Sequence, residues 1–509
     1  MTDLLPALQS PAGPAASREA VRFGDLSLTY GELAAASTAL AARIANAGRV
    51  AVRATATPET VIAVVAALRA GVPAVPLNPR TGERELAHIL ADSEPTAVLA
   101  GPDDTLPPAL EKLRRVTVDA RAGATDGEGA TDGAGATDGA DEARPAVHDI
   151  GETGPEAPAL IVYTSGTTGP PKGAVLPRRA IAASLDALED AWGWTGDDVL
   201  VHALPLFHVH GLILGVLGPL RRGGSVRHLG KFSAEGVARE LGSGGTMLFG
   251  VPTMYHRLAE VLDGPAGAPE RDALAGALSG ARLLVSGSAA LPVHDHERIA
   301  AATGRRVIER YGMTETLMNT GIRADGVPRP GTVGPPLAGV ELRLAEDDGA
   351  VLDEPGAIGE IQVRGPNLFT GYLNRPDATA AAHTEDGWFR TGDVGTVDAD
   401  GYVTIVGRKA TDLIKSGGYK IGAGEIENVL LAHPGVREAA VTGEGDPDLG
   451  ERVVAWVVAT DPDSPPSPEE LADRVSAELA PHKRPRTVRY LDALPRNDLG
   501  KIMKRSLRA

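Results

Sequence analysis

The sequence predicts an α/β protein with a large layered α/β domain followed by a small α+β domain. Three observations support this prediction. Short apolar runs alternate with amphipathic stretches through the first four-fifths of the chain, a pattern typical of strands packed between helices. The chain has 509 residues, more than a single hydrophobic core usually holds. The segment after Arg408 has its own order of strands and helices and the length of a separate domain.

Each predicted element rests on apolar patterning and on its flanking residues. In the large domain, strands are predicted at Arg49–Ala54, Ala74–Leu77, Ala97–Ala100, Ala159–Tyr163, Arg282–Val285 and Gly401–Val406, and helices at Pro58–Leu68, Ala180–Ala191 and Pro292–Ala302. In the small domain, the pattern predicts a Gly-rich loop (Ser416–Gly424), helices (Glu425–Ala432, Pro468–Leu479) and strands (Glu438–Thr442, Arg452–Ala459). Ser467 is expected to cap the last helix, with Pro468 in its first turn.

Residues 121–142 differ from the rest of the large domain. They contain Ala-Thr-Asp-Gly three times, carry net negative charge and show no apolar periodicity. Such a segment cannot bury a core, so a disordered surface insertion is predicted.

Composition restricts the possible functions. The formal net charge of −17 disfavours nucleic acid and anionic membranes as partners. The absence of cysteine excludes disulfides, thiolate metal sites and cysteine nucleophiles. The N-terminal residues lack the features of a signal peptide, and no apolar run reaches the length of a membrane span. A cytoplasmic location is therefore expected.

A polar loop follows the strand predicted at Ala159–Tyr163. It reads Thr164-Ser165-Gly166-Thr167-Thr168-Gly169-Pro170-Pro171-Lys172-Gly173. Glycines let backbone N–H groups approach phosphate oxygens, hydroxyls donate hydrogen bonds and the lysine supplies positive charge. The spacing of Gly166 and Lys172 is not that of a Walker A loop. The loop suits a polyphosphate, although its composition alone also fits an ordinary polar loop.

Five segments, in this order along the chain, resemble motifs of the adenylate-forming superfamily, which holds acyl-CoA synthetases, peptide-synthetase adenylation domains and firefly luciferase. After the polar loop come Tyr311-Gly312-Met313-Thr314-Glu315, then Trp388-Phe389-Arg390-Thr391-Gly392-Asp393, then Gly407-Arg408 with the loop Ser416-Gly417-Gly418-Tyr419-Lys420, and then Pro495 to Lys501. The resemblance implies an ATP-dependent ligase that joins a carboxylic acid to AMP and then to the thiol of CoA. It also implies an N-terminal domain of residues 1–408 and a mobile C-terminal domain of residues 409–509.

The resemblance further implies a role for each matched residue in the first half-reaction. Thr164–Lys172 would cover the β- and γ-phosphates, and Thr314 would contact the α-phosphate. Glu315 would hold Mg²⁺, a hard cation that takes oxygen ligands. Asp393 and Arg408 would bind the ribose. Lys501 would bridge the acid and the α-phosphate, although composition alone fits a solvated lysine in a basic tail.

In the second half-reaction, the small domain is implied to rotate so that Gly417, Gly418 and Tyr419 line the channel for CoA. Glycines there would allow close approach of a thin pantetheine arm. The family often has Asp or Lys as the hinge, two places after the arginine that matches Arg408. Here Ala410 stands at that position, with Lys409 and Asp412 nearby, so the identity of the hinge residue stays open.

The acid is indicated by three further segments. Leu204 to Gly211 matches the acyl-pocket motif and places Val209 and His210 there. Val251-Pro252-Thr253-Met254-Tyr255-His256-Arg257 and Leu283 to Pro292 resemble malonyl-CoA synthetases, the branch that activates malonate and methylmalonate. This resemblance implies that Arg257 and Ser288 bind the distal carboxylate of a small dicarboxylic acid, while Val209 and Met313 lie near its C2 substituent. A guanidinium matches a carboxylate in fork geometry, yet an arginine on a helix more often extends to solvent.

Alternative functions remain at this stage. Another short-chain or aryl-CoA ligase would not need a cation in the acyl pocket. A loader of a separate carrier protein would use the same ATP motifs. A control mechanism is also implied by the family: a lysine acetyltransferase acting on Lys501 would remove its charge and block adenylation.

Overall fold

The computed structural model describes residues 4–9, 11–121, 153–164, 170–409, 411–496 and 502–507. The insertion predicted at 121–142 lies outside the described residues except for Arg121. Ser165–Gly169, Ala410 and Lys501 also lie outside them.

The first half of the chain alternates strands and helices as expected. Its elements are β1 (Glu19–Phe23), β2 (Leu26–Thr29), α1 (Tyr30–Ile44), β3 (Val50–Arg53), α2 (Pro58–Ala70), β4 (Ala74–Leu77), α3 (Glu83–Ser93), β5 (Ala97–Ala100), α4 (Pro108–Glu111), β6 (Arg114–Thr117), β7 (Pro158–Thr164), β8 (Lys172–Pro177), α5 (Arg178–Trp192), β9 (Val199–His202), α6 (Gly218–Arg222), β10 (Ser225–His228), α7 (Ala234–Gly242) and β11 (Met247–Gly250). A π-helical segment, His210–Leu217, precedes α6.

The second half contains more strands than helices. Its elements are α8 (Pro252–Leu262), α9 (Pro269–Gly280), β12 (Leu283–Ser286), α10 (Val293–Thr303), β13 (Val307–Met313), β14 (Leu317–Gly321), β15 (Glu341–Ala345), β16 (Val351–Leu352), β17 (Gly359–Arg364), β18 (Gly371–Tyr372), α11 (Pro376–Ala381), β19 (Phe389–Val397), β20 (Val403–Arg408), β21 (Leu413–Ser416), β22 (Tyr419–Gly422), α12 (Ala423–Leu431), β23 (Val436–Asp446), β24 (Gly450–Ala459), α13 (Pro468–Glu478) and β25 (Thr487–Tyr490).

The chain divides into two compact units. The first comprises Met1–Phe249, Met313–Leu317 and Pro366–Thr379, and the second comprises Gly250–Gly312, Met318–Gly365 and Ala380–Ala509. Both contain β-sheets and helices, as an α/β protein should. No helix within the described residues is long and apolar enough to cross a membrane.

The first unit is organised by two sheets. One has the strand order β18-β8-β7-β4-β3-β5-β6, and β3 pairs in parallel with both β4 and β5. Helix α2 begins at Pro58 and ends before Gly71, whose φ of 67° suits a glycine C-cap. Its apolar side chains are buried on nearly every side. The other sheet of this unit contains β11, β9, β10, β1 and β2 in that order.

The second unit contains β12, β13 and β14 as neighbouring strands, and a five-stranded sheet in the order β16-β15-β17-β19-β20. Its C-terminal part has a separate sheet in which β23 pairs with β24 and β25 joins β24 in parallel. Helices α12 and α13 pack on that sheet around a core that includes Ile426, Val441, Val457 and Leu471. Ser467 forms the predicted cap of α13, as a capping box with Glu470.

The Gly-rich loop predicted at Ser416–Gly424 is wrong in its extent. Only Gly417 and Gly418 form a turn, and β21 and β22 pair on either side of it. Both glycines have positive φ, 58° and 83°. Such a pair forms the two-residue turn that matches the twist of a β-hairpin.

Candidate active site

Glu315 lies among hydrogen-bonding groups of the first unit. Its side chain is 6% exposed. The hydroxyl of Tyr372 donates a hydrogen bond to Glu315 Oε1 over 2.8 Å, and the Phe369 N–H donates to the Glu315 carbonyl over 2.8 Å. Asn367 Nδ2 holds the adjacent Thr316 carbonyl at 2.6 Å. The segment Asn367–Tyr372 therefore fixes the orientation of a buried carboxylate.

The ends of the predicted phosphate loop lie in the same unit. Thr164 and Lys172 face each other as the last described pair of the antiparallel strands β7 and β8. Lys172 Nζ lies 4.1 Å from the centroid of the Tyr372 ring. The ring of Tyr372 thus holds the lysine while its hydroxyl holds Glu315. This bridging role was missed in the sequence, because it depends on contacts between segments far apart in the chain.

Asp393 and Arg408, which the resemblance assigns to the ribose, form an ion pair in the second unit. Arg408 Nε lies 2.9 Å from Asp393 Oδ1, and the hydroxyl of Tyr311 donates to Asp393 Oδ2 over 2.6 Å. Burial, together with the neighbouring Asp393 charge, raises the pKa of Tyr311 well above its usual value, so Tyr311 is a neutral donor. The contact between Tyr311 and Asp393 was not predicted, although Tyr311 begins one of the five motifs.

Ser288 lies in a strained turn next to an unexpected buried arginine. Its φ is 77°, unusual for a residue other than glycine and often associated with functional sites. A Cβ at Gly287 would overlap the guanidinium of Arg310, so that guanidinium packs directly on the backbone of the turn. Arg310 is 4% exposed, and its Nε and Nη2 have no hydrogen-bond partner among the described residues.

An unpaired buried guanidinium is costly to the folded protein. Burial lowers the pKa of Arg310 to about 10, which still leaves the side chain charged at neutral pH. A group of this kind is a candidate for binding an anion that the protein itself does not supply. In the sequence, Arg310 is distinguished only by its position immediately before Tyr311, which begins one of the five family-like segments.

The remaining residues predicted to bind the acid are placed on both units. Arg257 is exposed on α8, while Tyr255 anchors that helix through a 3.0 Å hydrogen bond to the Val285 carbonyl. In the first unit, Val209 and His210 are buried at the start of the π-helical segment, a type of irregularity frequent at functional sites. Met313 is half-buried, as is Thr314, which was predicted to contact the α-phosphate rather than the acid.

The residues predicted to line the CoA channel form the turn between β21 and β22. Tyr419 is 55% exposed and stacks on the ring of His482, with 4.0 Å between ring centroids. The turn therefore presents a flat aromatic surface beside two glycines. Lys501 lies outside the described residues, so its predicted role stays a prediction.

Comparison with known proteins identifies the family. The sequence model of the AMP-binding enzyme family matches residues 9–373, and that of the AMP-binding enzyme C-terminal domain matches residues 425–501. A malonate–CoA ligase of Arabidopsis thaliana is 38% identical over 493 residues, which cover 90% of this chain and 77% of that protein. A sulfoacetate–CoA ligase of Cupriavidus necator is 35% identical over 492 residues, with coverage of 94% and 92%.

A similar structure is that of a malonyl-CoA ligase in a ternary product complex with methylmalonyl-CoA and AMP bound. It is 69% identical and covers 97% of this chain and 100% of its own, with a TM-score of 0.70. The family matches span most of the chain, and the resemblance read from the five motifs is confirmed. The chain belongs to the AMP-binding enzyme family.

Proposed function

We propose that the protein is an AMP-forming malonate–CoA ligase that also accepts methylmalonate. The observation that carries this proposal is the buried guanidinium of Arg310, which lies against Gly287 and next to the strained Ser288; its Nε and Nη2 have no hydrogen-bond partner in the part of the chain that the structure describes. A substrate with a second carboxylate would supply the missing partner. Malonate and sulfoacetate, the acids in the names of two relatives, both carry an anionic group one carbon from the reacting carboxylate.

The first half-reaction brings two anions together, so neutralising charge is its main requirement. A carboxylate oxygen of malonate attacks the α-phosphorus, and the bond to pyrophosphate breaks. Lys501 neutralises the reacting oxygens, while Lys172 and the hydroxyls of the Thr164–Gly169 segment bind the departing phosphates. Asp393 and Arg408 bind the ribose, with Tyr311 orienting Asp393.

The buried carboxylate of Glu315 fits Mg²⁺, because a hard divalent cation prefers oxygen ligands and retains substrate phosphates among them. Glu315 would hold the ion, with Tyr372 fixing the side-chain orientation. When bound, Mg²⁺ supplies additional positive charge to the phosphates. The role of Tyr372 is to hold the Glu315 carboxylate in place.

In the second half-reaction the CoA thiol attacks the acyl carbon and AMP leaves. Gly417, Gly418 and Tyr419 would line the approach of the pantetheine arm. We place the domain boundary after Arg408, so that residues 1–408 and 409–509 form the two domains. Support comes from the separate hydrophobic core of the C-terminal part and from the two family matches, which lie on either side of this boundary.

Arg257→Ala tests the substrate directly. We expect kcat/KM for malonate to fall about 10- to 100-fold, the loss associated with a hydrogen bond to a charged group. Activity with propionate, which has no distal carboxylate, should change little. Pyrophosphate release with each acid gives both values. Arg239→Ala, which removes another exposed arginine, is the control; equal losses for both acids would contradict the proposed role of Arg257.

Tyr372→Phe tests the orientation of Glu315. The variant loses one hydrogen bond to a carboxylate, so we expect roughly tenfold lower kcat/KM and a higher Mg²⁺ concentration for half-maximal rate. Initial rates over a Mg²⁺ series measure both. Tyr402→Phe also removes one tyrosine hydroxyl, one that bonds the Val327 carbonyl, and should leave the Mg²⁺ dependence unchanged. An unaltered Mg²⁺ dependence in Tyr372→Phe would refute the role.

The protein is expected to act in the cytoplasm. CoA, rather than a carrier protein, is the expected acyl acceptor. Lys501 is expected to be a target for acetylation. Acetylation would remove the positive charge needed for adenylation. Full adenylation activity in a protein acetylated at Lys501 would rule out this form of control.

A further inference from the structure

Two histidines and a buried carboxylate cluster where α8 packs against α10. His256 lies on α8, and His294 and Asp295 lie in the first turn of α10. One potential ligand atom from each residue lies within 4.8 Å of the other two. His256 stands next to Arg257 in a segment that resembles malonyl-CoA synthetases, but none of the three residues has a role in the proposed ligase reaction.

The spacing of these atoms suits a small tetrahedral cation. His256 Nδ1 lies 3.1 Å from Asp295 Oδ2, and His294 Nε2 lies 3.3 Å from Asp295 Oδ1. In a tetrahedral zinc site with bonds of about 2.0–2.1 Å, neighbouring ligand atoms are about 3.3 Å apart. Each histidine therefore lies at about the tetrahedral separation from one oxygen of Asp295, and the ligand atoms of the two histidines lie within 4.8 Å of each other.

Burial and charge also favour a cation. The Asp295 side chain is 0% exposed, whereas the His256 and His294 side chains are 36% and 27% exposed, which leaves a path from solvent. Glu260 lies 3.5 Å from His256 Nε2 and adds negative charge nearby.

One group opposes a cation at this position. Arg298 Nη1 lies 2.8 Å from Asp295 Oδ1, and its Nη2 and Nε contact Asp263. Arg298 already neutralises Asp295 in part, and it would repel an incoming ion. Because Asp263 is a second partner for Arg298, the guanidinium can remain paired when a cation takes Asp295.

We propose that His256, His294 and Asp295 form a binding site for Zn²⁺ or a similar first-row divalent cation, with water completing the coordination. Two imidazoles and one carboxylate match the ligand preference of such ions. The ion would join α8 to α10, and α8 also carries Arg257, next in the chain to His256. Metal binding would therefore stabilise the helix that bears this arginine. The alternative is a set of ordinary ion pairs that holds two helices together.

The test is a titration of the metal-stripped full chain, without ATP, with Co²⁺ and Zn²⁺. Visible absorption reports the coordination of Co²⁺, and calorimetry gives the stoichiometry and affinity for Zn²⁺. We expect one equivalent to bind in a four-coordinate site, with affinity lowered about tenfold or more in His294→Ala and Asp295→Asn. The Arg298→Met variant should bind Zn²⁺ more tightly than wild type, because the guanidinium that competes for Asp295 has been removed.

His433→Ala provides the matched control, since His433 also pairs with a carboxylate, that of Glu470, in the C-terminal part of the chain. It should bind like wild type. Thermal melting in chelator checks that each variant folds, and Asp295→Asn retains the side-chain shape if His294→Ala does not fold. Absence of one-equivalent binding, equal affinity in Asp295→Asn and wild type, or weaker binding in Arg298→Met would each leave only ion pairs and overturn the proposal. The readout is independent of the acid that the enzyme uses.

Discussion

Replacement of Lys501 by alanine is expected to slow malonyl-adenylate formation by roughly 100- to 1000-fold, the usual cost of removing one preorganised charge from a developing anion. The second half-reaction should be almost unaffected, because the residues assigned to the CoA channel are elsewhere. Two measurements separate the steps. Pyrophosphate exchange reports adenylation, and acyl transfer from supplied malonyl-adenylate to CoA reports the second half-reaction.

Arg505→Ala is the control for Lys501→Ala. Arg505 is an exposed cation in the same C-terminal tail, so its loss changes net charge equally without touching the proposed role. A similar loss in both variants would indicate a general electrostatic effect. A comparable fall in both half-reactions of Lys501→Ala would contradict its assignment to adenylation alone.

Arg310→Met is expected to make the protein more stable but a worse malonate ligase. Methionine fills much of the same volume without burying an unpaired charge, so the free energy of unfolding should rise by about 1–3 kcal/mol. Loss of the partner for the distal carboxylate should lower kcat/KM for malonate about 30- to 5000-fold, which corresponds to about 2–5 kcal/mol of lost transition-state binding. Denaturant unfolding and pyrophosphate release measure the two effects.

Arg306→Met removes an exposed arginine four residues earlier and should change neither quantity strongly. A loss of stability in Arg310→Met would mean that the guanidinium has a structural partner. An unchanged preference for malonate over propionate would mean that Arg310 does not bind the acid. Stability is expected to rise while activity falls, because residues that serve a binding site are often unfavourable for the stability of the fold.

Much of the α/β pattern was predictable because its buried strands are short apolar runs. The strands predicted at Ala74–Leu77 and Ala97–Ala100 have the predicted bounds, and the helix that begins at Pro58 is confirmed. The hairpin of β21 and β22 was missed. Its sequence, Leu-Ile-Lys-Ser-Gly-Gly-Tyr-Lys-Ile-Gly, does not alternate apolar and polar residues regularly, and its pairing depends on the turn.

Candidate site residues could be named from the sequence where they belong to a motif, but contacts with distant partners could not. Asp393 and Arg408 were named from motifs as ribose-binding residues; the structure pairs them with each other, and their binding of ribose stays a prediction. Tyr372 contacts Glu315 across 57 positions of sequence, and Tyr311 contacts Asp393 across 82. Arg310 belongs to no motif on which the resemblance was based. Its importance depends on burial and on the missing Cβ of Gly287, which only the folded chain reveals.

The proposed function requires that this ligase select a small acid with a second anionic group. We would measure this in a competition experiment. The enzyme is incubated with ATP, Mg²⁺, CoA and an equimolar mixture of malonate, methylmalonate, sulfoacetate, acetate, propionate and benzoate. Mass spectrometry then identifies the acyl-CoA products. We expect malonyl-CoA to dominate, with methylmalonyl-CoA second. Predominance of acetyl-, propionyl- or benzoyl-CoA would contradict the assignment of Arg257, Ser288 and Arg310 to a distal carboxylate.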